Sequence, residues 1–138
     1  MGRPATPDDI AAICLSLPEV ELGLSWGDRP TYKVPKGDKG KGFLLYRMPH
    51  KTATDPVTGE EYDDLLVIHT PSLEAKQELV DDPSLPFFTI DHFNNFKAVL
   101  VRQSRLGEID VDELTEILTD AWAARAPKSL VTRHLADG

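Results

Sequence analysis

Apolar residues recur along this chain in two rhythms, one with the period of a helix and one with the period of a strand. Ile10, Ile13, Cys14 and Leu17 fall at i, i+3, i+4 and i+7 behind Thr6-Pro7-Asp8-Asp9. Thr6 is a capping residue, Pro7 suits the first helical position, and the acids favour the positive end of the helix dipole. The spacing predicts a helix over residues 7 to 17, stopped by Pro18. Asp110-Val111-Asp112-Glu113 opens a second such pattern, with Leu114, Ile117, Leu118, Ala121 and Trp122 on one stripe. It predicts a helix over 111 to 125, ended by Pro127.

Between these helices the rhythm shortens to two. Val20, Leu22 and Leu24 alternate with polar or small residues, the pattern of a half-buried strand, and Tyr32 and Val34 flank Lys33 in a second strand. Phe43 to Tyr46, Leu65 to Ile68 and Ala98 to Val101 are dense enough in apolar residues to be buried strands. Phe87 to Ile90 reads as a further short strand, and His92 to Asn95 as a turn. Leu73, Leu79 and Val80, between Thr70-Pro71 and Asp81-Asp82-Pro83, predict a middle helix. Glycine and proline mark loops at 35–42 and 49–61, and 128–138 reads as a short, loosely held tail. The result is an α+β chain, a single two-layer domain over 1–138 with a predominantly antiparallel sheet and helices packed on one face.

Composition narrows the class. At 138 residues, 41% hydrophobic and 28% charged, the chain has the profile of a globular domain able to bury its own core. The single cysteine, Cys14, cannot close an internal disulfide and lies on the apolar helical stripe, where a structural role is expected. The first twenty residues hold no continuous apolar run like a signal peptide's, and no run approaches a membrane span; a cytoplasmic location is the expectation. The net charge of −8 opposes a polyanionic partner at long range. Residues 29–51 reverse this locally, with seven basic residues against Asp38, an excess of +6 that leaves −14 elsewhere.

Those seven, Arg29, Lys33, Lys36, Lys39, Lys41, Arg47 and Lys51, are candidate phosphate contacts, with Trp26, Tyr32 and Tyr46 as candidate stacking surfaces. The competing reading is that the lysines keep an exposed hairpin soluble. Trp26, Arg29 and His92 are a candidate ligand pocket, Trp26 standing where a strand gives way to a turn. Glu108, Asp110, Asp112, Glu113, Glu116 and Asp120 offer a weak hard-cation alternative, although acids at a helix start are also what the dipole favours. His50, His69, His92 and His134 are widely spaced, with no helical metal pair, no CxxC and no phosphate loop. No catalytic signature is present, so the chain is expected to be a binding module and not an enzyme, with no cofactor.

The order of these elements resembles the MmcQ/YjbR family, small bacterial proteins often labelled DNA-binding. The resemblance rests on Leu17-Pro18-Glu19-Val20, Ser25-Trp26-Gly27-Asp28-Arg29-Pro30-Thr31-Tyr32-Lys33-Val34, Phe43 to Tyr46, Leu65 to Ile68, Phe87-Phe88-Thr89, Ala98 to Val101, and Asp120-Ala121-Trp122 to Ala126-Pro127-Lys128. It covers nearly the whole chain. It implies a CyaY-like, frataxin-like arrangement with two long helices on one face of an antiparallel sheet, and DNA as a partner through the basic hairpin. The 48–62 stretch looks like an extended hairpin beyond the family's usual length, so the resemblance implies no role for it.

Overall fold

The computed structural model describes residues 3–25, 29–37, 40–46, 54, 57–62, 64–90 and 95–137. In chain order these form α1 (Pro7–Ser16), β1 (Glu21–Ser25), β2 (Arg29–Val34), β3 (Lys41–Tyr46), β4 (Leu65–His69), α2 (Leu73–Asp81), β5 (Ala98–Arg102), a 3₁₀ helix (Gln103–Glu108), α3 (Val111–Arg125) and α4 (Lys128–Asp137). The five strands pair antiparallel in the order β1-β2-β3-β4-β5, so each strand neighbours the next in sequence. The first two connections are short, and across the longer ones, the second carrying α2, each strand still returns beside its predecessor.

Alternation along the strands sends side chains to two faces. Leu66 and Ile68 of β4 and Val99 and Val101 of β5 join the helix-side core with Ile10, Cys14, Leu114, Leu118 and Trp122. Leu65, Val67, Ala98 and Leu100 point the other way and, with Leu45, form a smaller cluster on the far face, flanked by Tyr62, Phe88 and Ile90. Trp122 is fully buried and its Nε1 donates to the Pro18 carbonyl at 2.9 Å, which ties α3 to the end of α1.

The helix starts follow from their sequence. At α1 the Thr6 backbone N–H and Oγ1 donate to Asp9 Oδ2 at 2.8 and 3.1 Å, while the Arg3 fork donates to the same carboxylate. Those bonds, from Arg3 first, hold the Asp9 carboxyl below the usual carboxylate range. Asp110 Oδ1 caps α3 by accepting from the Glu113 N–H at 2.8 Å. Asp64 holds the turn after β5: its carboxylate accepts from Arg102 Nε at 2.9 Å and the Ser104 N–H at 3.1 Å.

Four expectations change. Leu22 and Leu24 alternate as expected but are 54% and 60% exposed, because β1 is an edge strand and α3 lies over the central strands β3 and β4. The 87–90 run is not a full strand: only Phe88 pairs, exchanging bonds of 2.9 and 2.8 Å with Leu100. Pro86 immediately precedes that run and withholds a donor from a longer ladder on that side. The middle helix is capped two residues later than the Thr70-Pro71 start expected, Ser72 Oγ accepting from the Ala75 N–H at 3.1 Å. The stretch expected as a tail is α4, whose Leu130 is buried and whose first turn closes on the Pro127 carbonyl. The His134 ring meets Trp122 edge-on at 5.0 Å.

Candidate functional site

The ladder between β2 and β3 contains a bulge. Tyr32 lies opposite Leu44 and Lys33 opposite Gly42, so Phe43 has no partner and both Phe43 and Leu44 enter the helix-side core. Gly42 is needed here because a Cβ at that position would stand 2.6 Å from Thr31 Cγ2. Pairing between β3 and β4 covers Leu44 to Tyr46 with Leu66 to Ile68, while His69, at the end of β4, pairs with Ala98 of β5. Next to this interruption the far face carries a cleft of about 120 Å³. Leu45, Val67, Ala98 and Phe96 supply apolar wall, and Thr31, His69 and Arg125 supply polar atoms.

Arg125 reaches the cleft from the last turn of α3, where a cation suits the negative end of the helix dipole. Its Nε is buried and has no hydrogen-bond partner among the described residues. The His69 imidazole is pushed down to about 4, by burial first and then by the charges of Arg125 and Lys97. It is therefore neutral at pH 7. Among the described residues that line the cleft Arg125 carries the formal charge and none is a carboxylate.

The rim is anchored from α2. Lys76 is 4% exposed and its Nζ donates to the Phe96 carbonyl at 2.8 Å, with burial lowering the pKa of the amine. The Phe96 ring in turn meets His69 edge-on at 6.2 Å. A second depression, between α2 and α3, shares His69 and carries the acids Glu78 and Asp120.

The residues singled out from sequence fall elsewhere. Trp26, Lys39, Arg47, Lys51 and His92 lie outside the described residues. Arg29 opens β2, and Lys36 sits in the exposed turn after it. Lys33 stands opposite Glu21 with its alkyl chain beside Gly23, whereas Lys41 stands opposite Val34 and so on the helix side. The structure does not bring Lys33 and Lys41 together. Tyr32 is 3% exposed and packs against Tyr46 at 6.1 Å inside the helix-side cluster, so it offers no stacking surface. The Cys14 thiol is pushed up to about 12 by burial and is inert. Among the described residues no three His, Cys, Asp or Glu side chains gather to hold a metal ion.

Sequence reasoning did not single out Arg125, Lys76 or His69 for this place. For His69 a signal existed: it extends the apolar run Leu65 to Ile68 with a polar residue in the register of Leu65 and Val67. For Arg125 and Lys76 none was visible, since both sit on helices among other charged residues.

A five-stranded antiparallel meander covered by helices on one side defines a two-layer α+β protein. The YjbR family model matches residues 15–124, and the chain belongs to that family. Relatives include the uncharacterized proteins Rv2570 of Mycobacterium tuberculosis and Mb2600 of Mycobacterium bovis, each 36% identical over 87 residues. That match takes in 63% of this chain and 62% of theirs, so the chain spans less than two thirds of the length of the curated relatives it matches. The fold is similar to the crystal structure of Deinococcus radiodurans protein DR2400, a DUF419 domain, with a TM-score of 0.58 and 21% identity over 85% of this chain and 75% of that one. No helix among the described residues is long and apolar enough to cross a membrane.

Proposed function

We propose that this YjbR-family chain is a non-enzymatic binding protein that holds a small molecule in the far-face cleft. The observation that carries this reading is the lining of the cleft, where the Arg125 side chain, His69 and Thr31 stand in an otherwise apolar wall. Size limits the ligand. An apolar cavity near 150 Å³ accepts benzene, so a cleft of about 120 Å³ encloses roughly five or six heavy atoms, the size of a small ring or a short aliphatic body. His69 has no carboxylate among the described lining residues to orient it as a general base, which favours binding over catalysis.

The test is a set of neutral, basic and acidic fragments followed by amide ¹H–¹⁵N spectra. Ligands should move the amides of Leu45, Val67 and Ala98. A full set that leaves those amides still removes the reading.

Duplex DNA binding through the β2–β3 hairpin is the second reading. It is favoured by Lys33, Lys36 and Lys41 having no ion pair among the described residues. It is weakened by Lys33 and Lys41 pointing to opposite faces. Fluorescence anisotropy with duplex and single-stranded oligonucleotides decides it: affinity should fall steeply with salt, and no signal at low salt ends the idea.

A further inference from the structure

We infer that the far-face cleft selects small monocarboxylates with an apolar body, the carboxylate meeting the Arg125 guanidinium and the body lying against Leu45, Val67 and Ala98. This rests on the cleft being the ligand site. The charge sign comes from Arg125 lining the cleft and Lys97 lying close enough to act on His69, with no acid among the described lining residues. A cationic ligand would meet the same field as repulsion.

The choice among anions comes from what else is present. A guanidinium offers paired N–H donors in a fixed plane, spaced for the two oxygens of a planar carboxylate. A dianionic phosphate would call for a second cation, and the rest of the described lining is uncharged: Leu45, Val67, Ala98 and the Phe96 ring, with Thr31 and the Gly42 to Leu44 segment of the bulge. Those walls reward an aliphatic or aromatic body. His69 is uncharged at neutral pH and half-buried, so its ring is a polar neighbour to one carboxylate oxygen and not a second counter-charge.

Calorimetry with sodium benzoate, its neutral analogue benzamide, the cation benzylamine and inorganic phosphate, read alongside amide spectra, tests the assignment. Benzoate should bind with an affinity on the order of millimolar, as expected for so few atoms, and should move the Leu45, Val67 and Ala98 amides. Benzamide should bind at least about tenfold more weakly, and benzylamine and phosphate should leave those amides unmoved. Arg125→Gln should weaken benzoate at least about tenfold, and Arg125→Lys, which keeps the charge and loses the fork, should fall between. Benzamide equal to benzoate at these amides would overturn the carboxylate assignment while leaving the cleft a ligand site. Phosphate as tight as benzoate would overturn it in favour of an unselective anion site. A cleft that none of the four probes perturbs would overturn the assignment, and the fragment set decides the ligand-site reading separately.

Discussion

On the helix side of the sheet the large side chains end against one another: Trp122 meets His134, Leu114 and Leu118 sit fully buried, and even the Trp122 N–H has the Pro18 carbonyl. The far-face cluster is smaller and stops at a cleft, where a buried guanidinium nitrogen has no partner among the described residues and a histidine is held uncharged. Both faces are built from the same strands by alternation. The difference is what covers them: helices remove the helix face from water, while Tyr62, Phe88 and Ile90 flank only part of the other. A face closed by helices puts its apolar surface into stability, and a face left incomplete can retain unsatisfied groups for a ligand.

Substitutions should separate the two faces. Trp122→Ala creates a large cavity and leaves the Pro18 carbonyl open, so urea denaturation should show a loss of about 3–5 kcal/mol or no folded protein at all. Near-wild-type stability would mean that the helix face is not the main source of it. Lys76→Met removes the donor to the Phe96 carbonyl and should cost about 1–3 kcal/mol while weakening benzoate, because the cleft rim loses its anchor. Unchanged benzoate affinity would detach that rim from the site.

Arg125→Gln should weaken benzoate at least about tenfold, equivalent to about 1.4 kcal/mol, yet leave unfolding within about 1 kcal/mol of wild type. A drop of several kcal/mol would make Arg125 a structural strut and erase the contrast between the faces. The smallest effect concerns pH. His69 is held near 4, below its ordinary 6.5, so between those values the unfolded chain binds the extra proton. Its contribution is complete above pH 6.5 and is lost as pH falls towards 4. The stability profile of His69→Gln should therefore slope less over that window than wild type, modestly because the ring is half-exposed, and identical slopes would place His69 in a more open setting.

Much of the fold was legible in the sequence, and the site was not, for a physical reason. Helix stripes such as Leu114, Leu118, Ala121 and Trp122 and runs such as Leu65 to Ile68 encode burial directly through spacing. The edge position of β1 is set by tertiary order, so the alternation of Leu22 and Leu24 could not reveal that they stay exposed. The cleft depends on a bulge that releases Phe43 from its ladder and on Arg125, which the chain supplies far away in sequence. Spacing within a local window cannot register either event. The basic hairpin, conspicuous in sequence because its charges fall within one short stretch, separates Lys33 and Lys41 once strand alternation acts on them.

A crystal structure of the protein grown with sodium benzoate tests the central claim most directly. The account expects the carboxylate on the Arg125 guanidinium and the ring between Leu45, Val67 and Ala98, with the helix face unchanged. Benzoate bound elsewhere with the cleft empty, or its ring in the cleft with the carboxylate turned away from Arg125, would contradict it.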